Sequence, residues 1–195
     1  MASGLVMGAL TVAVVVELAV IAAIAVSIVW PEHRVWPPGS VSWKFWYYWG
    51  GSTVVFAALT VVAVRDAGSF VLTGITWDVA GGILAVAGFA FAGWAGYTFR
   101  MRESFGLEGG LYTDGPYQYS RNPQYVGMVA VLLGVLLIVN SLFLIVGMLP
   151  VFIWTTLLPF AEEPWLRDQF GDDYTEYCQS VPRFLGRRTI QRLRK

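Results

Sequence analysis

The feature that most constrains this chain is an uncharged apolar stretch of 35 residues, 126–160. A helix needs roughly 20 apolar residues to cross about 30 Å of hydrocarbon, so the stretch is too long for one upright span. Asn140 and Ser141 lie near its middle, where a short turn between two antiparallel helices is favoured. The stretch therefore predicts a helical hairpin that crosses a membrane twice.

Three further apolar segments are each long enough to span, at residues 6–30, 45–64 and 76–99. The whole chain is 56% hydrophobic and 13% charged, about half the charged fraction of an average soluble domain. We therefore predict an all-α polytopic membrane bundle of about five transmembrane helices. Residues 1–75 would carry the first two helices, and residues 76–195 the remaining core with a C-terminal amphipathic helix.

The basic residues predict the orientation of this integral membrane protein. Lys and Arg in short flanking loops stay on the cytoplasmic side of a membrane. With five spans and an outer N-terminus, 12 of the 13 basic residues are cytoplasmic and only Arg65 is outside. Residues 115–127, which precede the hairpin, are then cytoplasmic as well.

Several classes of partner and site are disfavoured. The formal net charge is zero, which gives no support for a nucleic-acid partner. The chain has one cysteine, Cys178, and one histidine, His33, so a metal site built from these residue types is not expected.

The segment after the apolar stretch is charged but carries apolar residues at helical spacing. We expect it to form a separate amphipathic helix that rests on the membrane or on the bundle. The last nine residues, which hold five of the basic side chains, are expected to contact anionic membrane lipids. The apolar positions of the amphipathic helix are Trp165, Leu166, Phe170, Tyr174, Tyr177 and Val181.

Two polar clusters flank the hairpin, and its turn should bring them together. Arg121 and Asn122 precede the first helix, and Glu162 and Glu163 follow the second. Residues that precede a proline are pushed out of helical geometry, so Asn122 and Glu163 should each mark a break in the backbone. The result would be a polar pocket at the membrane boundary, although Arg121 paired with either glutamate could equally be a purely structural bridge.

These residues carry a resemblance. The segments "LYTDGPYQYSRNPQYVG" and "EEPWLRDQFGDDYTEYCQSVPRFL" resemble the isoprenylcysteine carboxyl methyltransferase and phospholipid methyltransferase superfamily of integral membrane enzymes. Its pattern is G-P-Y-x-x-x-R-H-P-x-Y-x-G, a hairpin, then E-E and an F-G-x-x-Y-x-x-Y run. Asn122 stands where that family usually has histidine, so a titrating side chain is absent there.

The resemblance implies an enzyme that transfers a methyl group from S-adenosylmethionine to a lipophilic acceptor drawn from the bilayer. It implies catalytic roles for Arg121, which would orient a polar head of the acceptor, and for Glu163. The acceptor could be a prenylated cysteine carboxylate or a lipid amine, and the residues do not choose. The implied cofactor-binding residues are Gly115, Tyr117, Asn122, Pro123, Tyr125, Gly127, Glu162 and Glu163.

Two other functions remain open on the sequence. A sterol-reductase-like oxidoreductase that uses NADPH has similar C-terminal motifs, and a non-catalytic membrane scaffold would need only the ion pair. One side chain is also unassigned: Glu17, in the middle of the first span, could form an interhelical hydrogen bond or line a substrate channel.

Overall fold

The computed structural model describes residues 3–72, 74–98 and 101–193, and the regular structure in these ranges is helical. Short 3-10 turns occupy Pro31–His33 and Gly115–Gln118. The α-helices are α1 (Gly4–Val29), α2 (Trp43–Asp66), α3 (Ile75–Thr98), α4 (Met101–Ser104), α5 (Pro123–Val139), α6 (Leu142–Ser180) and α7 (Arg187–Leu193).

Four of these helices, α1, α2, α3 and α6, are long and apolar enough to cross a membrane, and α5 is a shorter apolar helix. This agrees with the predicted helical membrane bundle and with the approximate positions of all five spans. Phe99, the expected end of the third span, and Arg100 lie outside the described residues, as do Arg194 and Lys195 at the C-terminus.

The turn between α5 and α6 falls where the sequence predicted it. Asn140 adopts the left-handed conformation with φ of 51°, and the Ser141 hydroxyl accepts a hydrogen bond from the backbone N–H of Leu144 at 3.0 Å. The Asn140 side chain also accepts from the N–H of Leu72 at 3.1 Å. The turn is therefore fastened to the loop between α2 and α3 at that end of the bundle.

The expected break before Pro164 is wrong, because α6 continues through this position to Ser180. A proline inside a helix removes one backbone hydrogen bond and costs about 3 kcal/mol. Ala161 and Glu163 beside it are buried, so tertiary contacts hold the helix together here. The non-helical residue is instead Gly171, with φ of 53° and ψ of −124°, a conformation that favours glycine.

The length of α6 places its second half outside the hydrocarbon. The part of α6 before the non-helical Gly171, residues 142–170, is about 43 Å long, whereas the hydrocarbon is about 30 Å thick. The apolar part, residues 142–161, accounts for the membrane-spanning half. Glu162 and the residues after it therefore lie beyond the spanning segment.

The main core joins α1, α2 and α6. The residues of α1 that face this core alternate at spacings of four and three, which is the pattern of a helix with one packed seam. They are Val6, Leu10, Ala13, Glu17, Val20, Ile24 and Ser27.

Glu17 is fully buried in this seam. Neither of its carboxyl oxygens has a hydrogen-bond partner among the described residues. The interhelical hydrogen bond considered for Glu17 is therefore not formed in this structure.

A second contact joins α3 and α5 through glycines. A Cβ atom at Gly88 would lie 2.6 Å from the carbonyl oxygen of Gly127, and one at Gly81 would lie 2.7 Å from that of Gly134. The two helices can approach this closely only because these positions carry no side chain.

The end of α6 packs on the bundle, which is one of the two expected positions for the amphipathic segment. Tyr174, Tyr177 and Val181 are buried together with Ala95 of α3 and Tyr117. The end of α6 is thereby held beside the loop that precedes α5.

Candidate active site

The polar segment before α5 is held in place by the chain that follows α6. The backbone N–H of Arg121 donates to the carbonyl of Pro182 at 2.9 Å. The carbonyl of Arg183 accepts from Asn122 Nδ2 at 2.9 Å and from the Ser120 hydroxyl at 3.2 Å. Arg121 also lies 3.1 Å from Glu163, so the two polar clusters that flank the hairpin meet, as the sequence predicted.

Glu162 lies at the start of the projecting half of α6. Its Oε1 accepts hydrogen bonds from Trp36 Nε1 at 2.7 Å and from the Tyr125 hydroxyl at 2.5 Å. Burial, together with the smaller effect of the Glu163 charge, raises the pKa of Glu162, the two hydrogen bonds oppose this, and the resulting pKa is about 7. Glu162 is thus a carboxyl that changes its charge near neutral pH.

Glu163 faces the other way, into a cluster of arginines. It pairs with Arg121 at 3.1 Å, Arg167 at 3.2 Å and Arg183 at 2.6 Å. Burial alone would raise the pKa of Glu163, but the hydrogen bond from Arg183 and the charges of the three arginines outweigh it, so the pKa lies below its ordinary value. The two adjacent glutamates therefore have different electrostatic environments: Glu163 is ionised, whereas Glu162 gains or loses its proton near neutral pH.

Arg121 is nine-tenths buried, with 10% of its side chain exposed. One of its terminal nitrogens, Nη1, contacts both Glu163 and the Cys178 sulfur, the latter at 2.6 Å. Its Nε–H has no partner among the described residues. Arg121 is therefore fixed at one side of its guanidinium, while a donor on the other side is left unused.

A cleft of about 710 Å³, part of it open to solvent, lies beside these groups. Arg121 and Glu103 both line this cleft, and Glu103 Oε2 is a second buried atom without a partner among the described residues. Because each unpaired buried polar group costs free energy, an unused donor and an unused acceptor in one cleft favour a ligand with an anionic and a cationic group.

Comparison with known protein families shows the family to which the chain belongs. A model of the phospholipid methyltransferase family matches residues 69–173, which is more than half of the chain. The chain belongs to the phospholipid methyltransferase family. No match was found among curated proteins or among solved structures. Family membership and the apolar helices together make the protein an integral membrane methyltransferase.

Four of the eight residues expected to bind a cofactor in this member of the phospholipid methyltransferase family line the cleft, together with Arg121. The match ends at residue 173, so it includes both glutamates. Glu163 is not among the residues of the cleft wall, although it contacts Arg121. The expected site residues that line the cleft are Tyr117, Arg121, Asn122, Tyr125 and Glu162.

Three other expected residues have positions set by the backbone. Pro123 is the first residue of α5, where its missing N–H needs no partner. Gly115 has φ of 57° and lies beside Thr98. Gly127 lies in the contact between α3 and α5 rather than in the cleft wall.

Sequence reasoning missed two polar groups of the site. Trp36 comes from the connection between α1 and α2 and reaches Glu162 across 126 positions of sequence, a contact that no local pattern reveals. Glu103 lies in the short helix α4, and its side chain passes over Gly109, where a Cβ would overlap it. The available signal for Glu103 was its position in a polar break directly after the third apolar segment.

Proposed function

We propose that this protein transfers a methyl group from S-adenosylmethionine to a lipophilic acceptor at the cytoplasmic membrane interface. Methyltransferases of this family generally use this cofactor. The observation that carries the proposal is the pair of unused buried atoms, Arg121 Nε–H and Glu103 Oε2, in a cleft that also contains Glu162.

The residues of the cleft fit the charges of this cofactor. Its amino-acid end carries a carboxylate, which the Arg121 Nε–H would bind in a charge-assisted hydrogen bond. Its ammonium group would be bound by Glu103 or Glu162, and the ring face of Tyr117 suits a sulfonium cation. In this proposal Arg121 binds the cofactor, whereas the sequence alone had suggested the polar head of the acceptor.

When bound, the cofactor would supply an electrophilic methyl carbon: an electron pair of the acceptor would form the new bond, the carbon–sulfur electrons would remain on sulfur, and the proton lost by a hydroxyl or amine acceptor would pass to water in the open part of the cleft. The protein's contribution is alignment, which can supply on the order of 7–11 kcal/mol of the barrier. Arg121 is held by Glu163, and Glu163 by Arg183, so the arginine cluster would hold the bound cofactor in one position. Glu163 is thus a positioning residue for Arg121.

Two observations support a cytoplasmic, interfacial site. The cleft lies where α6 leaves its apolar half, so a water-soluble cofactor and a bilayer-dissolved acceptor can both reach it. The basic residues favour the cytoplasmic side for this end of the bundle. The N-terminus would then be outside, and membrane lipids would surround α1, α2, α3, α5 and the apolar half of α6.

Calorimetry on the detergent-purified protein tests the cofactor. We expect S-adenosylhomocysteine to bind and reduced nicotinamide dinucleotide not to bind. Nicotinamide binding instead would favour the oxidoreductase alternative, and binding of neither would favour a scaffold. Transfer of labelled methyl into a panel of lipophilic acids, amines and phenols would then identify the acceptor.

Two matched variants test the role of Arg121. Arg121→Ala should abolish methyl transfer and weaken S-adenosylhomocysteine binding by about tenfold or more, since a charge-assisted hydrogen bond is lost. Arg167 pairs with the same carboxylate, but its side chain is 49% exposed and does not line the cleft, so Arg167→Ala should retain both properties. Equal behaviour of the two variants would refute the assignment.

A further inference from the structure

A second cavity of about 560 Å³, part of it open to the outside of the protein, adjoins the cleft on its membrane side. It extends along α2 as far as Ser52 and Phe56, and Trp154 of α6 also lines it. Six aromatic side chains line it: Trp36, Tyr48, Trp49, Phe56, Tyr125 and Trp154.

The rings form a continuous wall from the cleft into the bundle. The ring centroids of Trp36 and Tyr48 are 4.0 Å apart, those of Tyr48 and Trp154 are 6.0 Å apart, and those of Trp154 and Phe56 are 6.4 Å apart. These separations allow tilted and offset contacts between aromatic rings. A flat ring that entered the cavity would meet ring faces and edges on several sides.

The described residues of the cavity wall include no charged side chain. Ser52 uses its hydroxyl on the carbonyl of Tyr48 at 2.7 Å, and Gln124 donates to the Ser104 hydroxyl at 2.9 Å. The arginines of the site are held by Glu163. A phosphate or carboxylate in this cavity would be desolvated without a cation to pair with it, which is unfavourable.

The cavity and the cleft share three wall residues, Trp36, Gln124 and Tyr125. Trp36 and Tyr125 both donate to Glu162. A ligand in the aromatic cavity would therefore lie next to the cofactor cleft, at the edge that these side chains share. Methyl transfer requires the acceptor atom to come within about 3–3.5 Å of the methyl carbon, so the reactive end of the acceptor would lie at this shared edge.

We propose that this aromatic cavity binds the acceptor, and that the acceptor is an uncharged lipophile with a flat ring, such as an alkylated phenol. That the ligand of this cavity is a methyl acceptor rests on the proposed function. Trp36, Tyr48, Trp49, Ser52 and Phe56 all precede residue 69, where the family match begins. The N-terminal helices thus determine which acceptor the family-matched methyltransferase segment receives.

Photolabelling of the full-length protein in nanodiscs tests the site without requiring activity. The probe is para-octylbenzophenone, an uncharged ring-bearing lipophile, and labelled residues are identified by mass spectrometry. We expect labelling to concentrate on the cavity wall, including Met128, and to be competed by para-nonylphenol. If farnesol or lysophosphatidylethanolamine competed with the probe as strongly as para-nonylphenol does, or more strongly, the proposed ring selectivity would be overturned.

Ser52→Leu fills the cavity and should reduce this labelling by about tenfold or more, as small changes of bulk do in apolar pockets. Thr60→Leu is the matched control, because Thr60 lies on the same helix and makes the same bond to the carbonyl four residues earlier, at 2.7 Å, but is exposed. It should leave labelling unchanged. Phe56→Trp, measured in parallel, fills the cavity from a partly exposed position.

S-adenosylhomocysteine binding is measured on every variant. We expect the wild-type affinity in both cavity-filling variants, which shows that they are folded. Unchanged labelling in these folded variants would refute the acceptor cavity. Failure of the wild-type protein to bind S-adenosylhomocysteine would refute the proposed function instead, while the labelling result would still decide whether the cavity binds ring-bearing lipophiles.

Discussion

The titration of Glu162 leads to a pH dependence that can be calculated. Its pKa is raised to about 7 by burial, so the neutral acid predominates below neutral pH in the free protein. A ligand whose cationic group contacts this carboxyl binds better to the ionised form. Affinity should therefore rise with pH and fall as Glu162 takes up a proton.

The size of this effect follows from the ionised fraction, because apparent affinity scales with the population of the binding-competent form. With a pKa of about 7, that fraction is about one in eleven at pH 6 and about ten in eleven at pH 8. The dissociation constant of S-adenosylhomocysteine should therefore decrease about tenfold over this interval, which corresponds to about 1.4 kcal/mol. Binding at pH 7 should release about half a proton.

Calorimetry in buffers of different ionisation enthalpy measures both the affinity and the proton release. Glu162→Gln should bind more weakly and show no dependence on pH, since its amide does not titrate. A wild-type affinity that is constant between pH 6 and pH 8, with no proton release, would refute the contact between Glu162 and a cationic ligand group.

Two further predictions concern stability. Glu163→Gln should lower the free energy of unfolding by about 3 kcal/mol, because buried Arg121 loses its carboxylate partner. Arg167→Ala, at a half-exposed position, should change the free energy of unfolding by less than about 1 kcal/mol. Similar thermal midpoints for the two variants would contradict this ranking. Gly88→Ala should destabilise the protein by about 1–3 kcal/mol through a clash with the α5 backbone. Gly82→Ala is the control, because a Cβ at Gly82 meets nothing within 4 Å. Equal losses of stability on denaturation of the two variants would argue against the glycine contact.

The periodicity and length of the apolar segments were sufficient to predict the five helices, because membrane thickness sets the length of a span. The turn at Asn140 was equally accessible, since a polar pair in the middle of a long apolar stretch favours a turn at the membrane boundary. The course of α6, in contrast, could not be predicted from the sequence. A local rule about prolines predicted a break at Glu163, but the helix continues through this position, where the neighbouring residues are buried, and the non-helical residue is Gly171.

The candidate site, too, could be predicted from the sequence only in part. The convergence of Arg121 with the two glutamates followed from the hairpin, but the sequence could not show that Glu162 and Glu163 point into different environments. That difference depends on partners from distant segments, Trp36 before α2 and Arg183 after α6. Neither contact has a local sequence pattern.

The brevity of α5 has a consequence for the surrounding lipid. Its 17 residues extend about 25 Å, roughly 5 Å less than an average hydrocarbon layer. Hydrophobic mismatch of this kind is relieved when the bilayer thins beside the short helix, at a fraction of a kcal/mol for each ångström. Lipid headgroups would then be drawn towards the first turn of α5, where Tyr125 lies, and membranes of lower thickness should accommodate the protein with less distortion.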